Sequence, residues 1–370
     1  MRAPILLIGA LMHEKFMQLA LDAAIKGLYA TKPNPAVGCV IVKNQKVIAT
    51  GYHVAYGQAH AEIMALKQVN FDARGCDICI TLEPCAHHGK TPPCVESIIK
   101  SGANRVIIPF ADPNPLTCGQ SIMQLKRAGI DVITNVLSEK CYNVNRFFLH
   151  YMQYRRPYII AKWAMTDTGK FSVANQQWIS HEQSRAHTHL LRQRADAIII
   201  GANTLRIDNP RLTTRTPSIA PENITHPLRI VLTTQGNFSF EQQIFNDTFT
   251  KNTLIACMDK PSHQLLEQQS MRKFQVLALH GSDTKNKLKF LVSHLAQKNI
   301  MSLIVEGGKT LLDSFFSSNL IDEVQCYIAK KNASTRPLEN FIQLNDYRIQ
   351  TIENIACDTF IKAKKETTYV

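Results

Sequence analysis

His60-Ala61-Glu62, followed downstream by Glu83-Pro84-Cys85 and then Cys94, constrains this chain more than any other pattern in it. One histidine and two cysteines are three soft or borderline donors, a set that suits zinc and leaves the fourth tetrahedral position open. An open position implies catalysis, because structural zinc sites are closed. Zinc lowers the pKa of a water there toward neutrality, and a carboxylate two residues from the histidine can take the proton and return it to a departing amine. Glu62 is that carboxylate. Taken singly, histidines and buried cysteines are far more often packing groups than ligands. Only the constellation changes the odds.

The flanking sequence predicts how these donors are brought together. Phe16, Leu19, Ala20, Ala23 and Ala24 have helical spacing over Glu14 to Leu28, with Gly27 where a helix would end. Pro33 to Pro35 makes a rigid loop, and Val37 to Val42 and Lys46 to Gly51 read as strands joined by a turn at Lys43, Asn44 and Gln45. A helix is expected to start at His60 and another at Cys85, after Pro84, so that both N-termini point at the metal. Such termini favour thiolate by a few tenths to about 1 kcal/mol. Strands at Asp77 to Leu82, Arg105 to Pro109 and Ile130 to Thr134, with a helix at Gln120 to Ala128, continue the alternation. That order predicts a mainly parallel sheet with helices on both faces. Cys76 and Cys79 look like a metal or redox pair, but a strand there puts them on opposite faces, so we read them as packing residues.

The 370 residues are long for one core, so two domains are expected. Tyr151 to Pro157 is aromatic and basic and ends in Arg155-Arg156-Pro157, which places the boundary between a domain of residues 1–155 and one of residues 156–370. A new alternation follows: strand Tyr158 to Trp163, helix His181 to Arg194 with Ser180 and Gln183 as a capping box, and strand Ala195 to Ile200. Strands at Arg229 to Leu232, Thr253 to Cys257, Val276 to Leu279 and Ser302 to Val305 complete a second sheet, with a helix at Lys287 to Asn299. The last strand runs into Glu306-Gly307-Gly308-Lys309-Thr310 and an apolar helix through Phe316. Paired glycines at such a turn let backbone amides approach a diphosphate. Alone, a Gly-Gly turn is more often plain turn geometry.

A formal net charge of +13 and a pI near 9.3 suit a polyanionic partner, either nucleic acid or phosphorylated small molecules. The basic residues are scattered, with no run that reads as a nucleic-acid arm, and a solvated basic surface explains the excess equally well. Ten cysteines without the short regular spacing of a disulfide framework fit a reducing compartment, the cytoplasm by default. The apolar opening Met1 to Met12 is too short to span a bilayer and lacks a cleavage site, so we expect no membrane partner and read the residues before Met12 as an extension or loose tail.

His-x-Glu followed by Pro-Cys is similar to the signature of zinc nucleobase deaminases. Here the second cysteine comes later than in most of them, after the loop AHHGKTPP. That loop, with PNPAVGCVIV from Pro33, GYHVAYGQAHAE from Gly51 and ADPNP from Ala111, resembles the bifunctional deaminase/reductases of riboflavin biosynthesis. The resemblance runs from about His13 almost to the C-terminus. It implies an N-terminal cytidine-deaminase-like three-layer α/β/α domain holding one zinc on His60, Cys85 and Cys94, with Glu62 as the acid/base. It further implies that Asn34, His53, His87, Lys90, Asp112 and Asn114 line the pocket for a phosphoribosylaminopyrimidine, with Lys90 toward phosphate and His88 left in solvent.

For the second half it implies a dihydrofolate-reductase-like α/β domain that uses NADPH. Lys162 through Lys170, Gln177-Trp178-Ile179-Ser180, and Arg206 through Pro210 with Leu212-Thr213 carry that match. By position, Ala164, Trp178, Thr204, Asp208 and the segment Gly308, Lys309, Thr310, Leu311, Leu312, Asp313 and Ser314 should face the cofactor. Lys162, Arg192, Leu212, Arg215 and Glu306 should face the substrate; guanidinium forks match phosphate oxygens. Two positions depart from the family pattern: Thr168 stands where an aspartate is usual, and Gln176 where a substrate-binding serine is usual. Two other readings stay open, an RNA-editing deaminase and a working deaminase fused to a non-catalytic reductase-like domain. A homo-oligomer is allowed but not indicated.

Overall fold

The structure, a computed structural model, describes residues 3–86, 92–114, 118–172, 178–217, 219–330, 332–334, 338 and 346–366, with backbone alone for 3–10. The expectations for His87, His88, Lys90 and Gln176 lie outside these residues. The chain divides into two compact units, Met1–Arg155 and Arg156–Val370.

The first unit runs α1 (Ala3–Lys26), β1 (Gly38–Lys43), β2 (Lys46–Tyr52), α2 (Ala61–Gln68), β3 (Asp77–Ile80), α3 (Cys94–Lys100), β4 (Arg105–Ile107), α4 (Gln120–Arg127), β5 (Asp131–Ile133) and α5 (Ser138–Tyr154). Its sheet has the order β2-β1-β3-β4-β5. Only β3, β4 and β5 pair in parallel; β1 is antiparallel to both neighbours, so the sheet is mixed rather than mainly parallel. The cause is the turn between β1 and β2, where Asn44 and Gln45 both take positive φ, +49° and +63°. Such a tight turn reverses the chain. The return through α2 then lays β3 on the other side of β1, in the direction of β2.

Side chains alternate across β1. Cys39 and Ile41 pack with Ala61, Ala65, Leu66, Val95, Ile98 and Leu125 from α2, α3 and α4. Val40 and Val42 pack with Phe16, Met17, Ala20 and Leu21 of α1 and Cys141 of α5. These are the three layers expected. Cys76 falls in the first cluster and Cys79 in the second, so they do lie on opposite faces. The glycines at the strand ends set the spacing of the layers: a Cβ at Gly38 would fall on the backbone of Ala20 in α1, and one at Gly51 on the backbone of Ala61 and Ala65 in α2.

Two boundaries differ from expectation. Helix α1 starts at Ala3, so the residues before Met12 continue it instead of forming a loose tail. Cys85 does not begin a helix; α3 begins at Cys94, with Pro93 in extended geometry as its N-cap. The reason is that Cys85 serves the helix from outside. Its carbonyl accepts from Val95 N at 3.3 Å, and its Sγ accepts from Cys94 N at 3.2 Å.

The second unit runs β6 (Tyr158–Met165), α6 (Glu182–Arg194), β7 (Ala197–Gly201), α7 (Ala202–Asp208), β8 (Leu228–Thr233), β9 (Thr253–Cys257), α8 (His263–Arg272), β10 (Gln275–Ala278), α9 (Thr284–Gln297), β11 (Ser302–Glu306), α10 (Lys309–Ser317), β12 (Glu323–Ile328), β13 (Tyr347–Ile355) and β14 (Asp358–Lys365). The order is β10-β9-β8-β7-β11-β6-β12-β14-β13. Pairing is parallel from β10 to β12 and antiparallel for the last two neighbours. Three strands thus extend the sheet beyond Ser302 to Val305, where the sequence reading ended it. The N-cap of α6 is His181, whose Nδ1 accepts from Gln183 N, so the predicted Ser180 cap is displaced by one residue. No helix among the described residues is long and apolar enough to cross a membrane.

Candidate active sites

In the first unit the donors converge. His60 caps α2 in extended geometry (φ −69°, ψ 160°), which frees its ring from the helix and puts Glu62 in the first turn. His60 Nδ1 lies 3.2 Å from Cys94 Sγ and 3.7 Å from Cys85 Sγ, and the three ligand atoms all fall within 4.8 Å of one another. Metal bonds of about 2.0–2.3 Å at tetrahedral angles require donors roughly 3.5–3.8 Å apart. The set therefore fits a zinc ion with only small adjustments.

The electrostatics favour the same reading. The Cys94 thiol bonded to it, and then His60, pull the Cys85 thiol down to about 4 against its burial. Cys94 is pushed up by that same contact, so of the two sulfurs Cys85 is the one favoured to carry the charge. Glu62 is 3% exposed, and burial, then the Cys85 charge, raise it to about 7. A carboxyl poised there can both accept and donate a proton near neutrality.

Around the donors, the Nδ1–H of His53 faces the Ala59 carbonyl at 3.1 Å, which leaves Nε2 to accept from Asn34 Nδ2 at 3.3 Å. Burial lowers the pKa of His53, so the neutral ring is favoured. Asp112 Oδ1 accepts from Asn114 N at 2.9 Å. Sequence reasoning missed what holds this loop. Glu83, 5% exposed, accepts from Asp112 N at 2.7 Å, Gly119 N at 3.0 Å, Ser121 N at 3.1 Å and Ser121 Oγ at 2.7 Å. It thereby caps α4, whose own N-cap is a glycine, and ties the Asp112 loop to the strand end that carries Cys85.

In the second unit a cavity of about 870 Å³ opens beside the ends of β6, β7 and β11. Lys162, Ala164, Trp178, Arg192, Thr204, Asp208, Leu212, Arg215, Glu306 and Gly308 line it. Lys309, Thr310, Leu311, Leu312, Asp313 and Ser314 do not: Leu311 and Leu312 turn into the core, and Lys309 pairs with Asp313. Glu306 is the electrostatic centre. Its Oε1 accepts from Lys162 Nζ at 2.9 Å and its Oε2 from Arg192 Nη2 at 2.7 Å. Burial alone would raise its pKa, but Arg192 and Lys162 outweigh that and hold it at about 2. Thr204 Oγ1 accepts from Gly308 N at 3.3 Å, fixing the glycine turn at the start of α10.

The loop from Asn209 to Arg215 is pinned along its length. Arg229, fully buried and paired with Asp247, holds the Arg211 carbonyl. Arg192 reaches the Thr213 carbonyl, His226 accepts from Thr214 N, and His189 accepts from Arg215 N. Within it Leu212 is 2% exposed at φ +55°, a conformation that a branched side chain adopts only when its surroundings impose it. Thr168 lies apart, hydrogen-bonded to Thr166 Oγ1 at 2.8 Å in a turn closed by Gly169, and Asp167 pairs with Lys330 at 3.0 Å.

Known proteins share both halves. Residues 11–109 match the cytidine and deoxycytidylate deaminase zinc-binding region, and residues 157–331 match the RibD C-terminal domain. The riboflavin biosynthesis protein RibD of Aquifex aeolicus is 36% identical over 95% of this chain and 98% of its own. The fold is similar to that of Acinetobacter baumannii RibD, with a TM-score of 0.82, 29% identity, and coverage of 97% of this chain and 100% of the other. It is also similar to a Thermotoga maritima diaminohydroxyphosphoribosylaminopyrimidine deaminase/5-amino-6-(5-phosphoribosylamino)uracil reductase, with a TM-score of 0.79, 29% identity, and coverage of 96% and 99%. With both regions present in this order and a relative that matches 95% of its length, the chain belongs to the RibD family, the zinc- and NADPH-dependent bifunctional deaminase/reductases of riboflavin biosynthesis.

Proposed function

We propose that the first unit hydrolyses the 2-amino group from 2,5-diamino-6-(5-phosphoribosylamino)pyrimidin-4(3H)-one and that the second reduces the ribosyl group of the product to ribityl. The observation that carries this reading is the convergence of His60, Cys85 and Cys94 beside the buried Glu62. When bound at those three donors, zinc supplies Lewis acidity at an open fourth position. Glu62 takes a proton from the attacking water and delivers it to the departing nitrogen, so water is consumed, the C2–N bond breaks, a carbonyl forms and ammonia leaves. Neutral His53, with Asn34, Asp112 and Asn114, orients the pyrimidine, joined by His87 and Lys90.

In the second unit Ala164, Trp178, Thr204, Asp208 and the Gly308 turn hold NADPH, which supplies the hydride. Helix α10 presents its N-terminal amides to the diphosphate, which suits the inward turn of Leu311 and Leu312. Glu306 bridges Lys162 and Arg192, offsets one of their two charges and sets their heads against the substrate, while Arg215, with no carboxylate partner among the described ion pairs, neutralises its phosphate. Leu212 packs against the sugar. Ten free cysteines suit the cytoplasm, and small phosphorylated ligands account for the basic charge without nucleic acid.

The test follows ammonia release and NADPH oxidation separately, with the diaminopyrimidine substrate and with the deaminated intermediate. One ammonia and one NADPH per substrate are expected. Absence of ammonia release by zinc-loaded enzyme would sink the first assignment. Failure to oxidise bound NADPH would make the second unit a non-catalytic domain, a reading that the placement of Thr168 and the Asp167–Lys330 pair keeps in play.

A further inference from the structure

One histidine in the reductase cavity has no ligand role in the function proposed above. His189, on α6, lines the wall beside Arg192 and Arg215. Its Nδ1 lies 3.2 Å from the backbone nitrogen of Arg215. An amide N–H only donates, so Nδ1 is the acceptor, and in the neutral ring the proton sits on Nε2. The neutral ring is the form present: burial, then Arg192 and Arg215, press its pKa down to about 4, while Glu306 and Lys162 oppose each other. Lys162 and Arg192 share the one carboxylate of Glu306. Arg215 and Arg211 raise the positive potential on this wall, and burial together with both Arg192 and Arg211 lowers the pKa of Arg215.

We propose that His189 contacts the reductase substrate, donating Nε2–H to the phosphate that Arg215 neutralises. The proposal rests on the assignment of Arg215 to phosphate. A fixed neutral donor adds direction where charge is already supplied, and its second nitrogen keeps the Arg215 end of the pinned loop in register. The two jobs can be separated. In His189→Asn the amide oxygen still accepts from Arg215 N, but the side chain no longer reaches as far as Nε2. In His189→Ala both contacts are lost.

The experiment uses zinc-loaded full-length enzyme at saturating NADPH with two acceptors, the deaminated phosphoribosylamino intermediate and its dephosphorylated counterpart. An unchanged KM for NADPH controls for folding of the second unit, and ammonia release from the diaminopyrimidine for that of the first. In His189→Asn KM for the phosphorylated acceptor should rise at least about tenfold, the range of a hydrogen bond to a charged group, with KM for NADPH and for the dephosphorylated acceptor unchanged, and His189→Ala should raise KM for the phosphorylated acceptor at least as much. Wild-type KM in His189→Asn, with loss only in His189→Ala, overturns the proposal in favour of loop anchoring. Equal loss on both acceptors in His189→Asn also overturns it. Arg215→Ala should show the same selectivity for phosphate. Its absence there would overturn the subsite on which the proposal rests, whereas selectivity in Arg215→Ala with none in His189→Asn overturns the proposal alone.

Discussion

The two sites are assembled on different scales. The zinc donors lie within 34 residues of one another, His60 and Cys94 at the starts of helices and Cys85 in the segment after β3. The reductase cavity joins Lys162 to Glu306 across 144 residues and draws on several strands, helices and loops. A metal centre needs a few atoms in tight geometry, which short local spacing can supply. A dinucleotide and a sugar phosphate need area, which only many distant elements can supply. The contrast implies that single substitutions should switch off the first site outright and degrade the second by degrees.

Glu62→Gln is the severest test. Ammonia release should fall by about 10²–10⁴, the worth of a general acid/base, with zinc retained and the deaminated intermediate still reduced. Cys85→Ser should lose zinc as measured by metal analysis, while Cys79→Ser, on the opposite sheet face, should keep it. Retention of one zinc per chain in Cys85→Ser would break the comparison at its strongest point.

Glu306 offers the sharpest test of the dispersed site. Its folded pKa of about 2 lies below the ordinary 4.5, so its contribution to stability is fully present above pH 4.5 and lost as pH falls toward 2. The shift corresponds to something on the order of 3 kcal/mol. Both tryptophans, Trp163 and Trp178, lie in the second unit, so urea unfolding followed by tryptophan fluorescence reports on it alone. The wild type should exceed Glu306→Gln in stability at pH 7 and converge with it in acid. A gap that persists unchanged below pH 2 would refute the role given to the ion pairs.

Smaller effects come from the residues that position others. Glu83→Gln puts an amide against donors that need an acceptor, and KM for deamination should rise by about tenfold with zinc content and reduction unchanged. Asp167→Asn should alter reductase kcat/KM by less than about twofold, the effect of one exposed ion pair. A larger loss would bring Asp167 into the site after all.

What the sequence made legible follows the same division of scale. The layers of the first unit were readable because β1 alternates between two apolar faces, and the zinc set because its spacing is local. Glu83 was not readable: the amides it accepts from lie 29 to 39 residues away, and a backbone amide leaves no residue signature. Helix α3 was misplaced because Pro84 reads as a helix start, whereas Cys85 meets the helix through its carbonyl and sulfur. Strand β12 was hidden by Glu323 and Gln325, polar residues that are nonetheless buried because Tyr158 and Gln325 itself hydrogen-bond to Glu323. His189 escaped notice because its tautomer depends on a loop that only the fold brings to it.

Gly51 extends this contrast to manufacture rather than chemistry. Helix α2 rests on the strand with backbone against backbone, so the depth at which His60 and Glu62 stand is gauged by atoms that every amino acid shares and no rotamer can adjust. The sheet is in effect a machined stop. Side chains elsewhere in the layer can be exchanged and repacked around it, but one added methyl group at this position shifts the seat of the catalytic pair, and the His60 ligand with it, without altering a single donor residue.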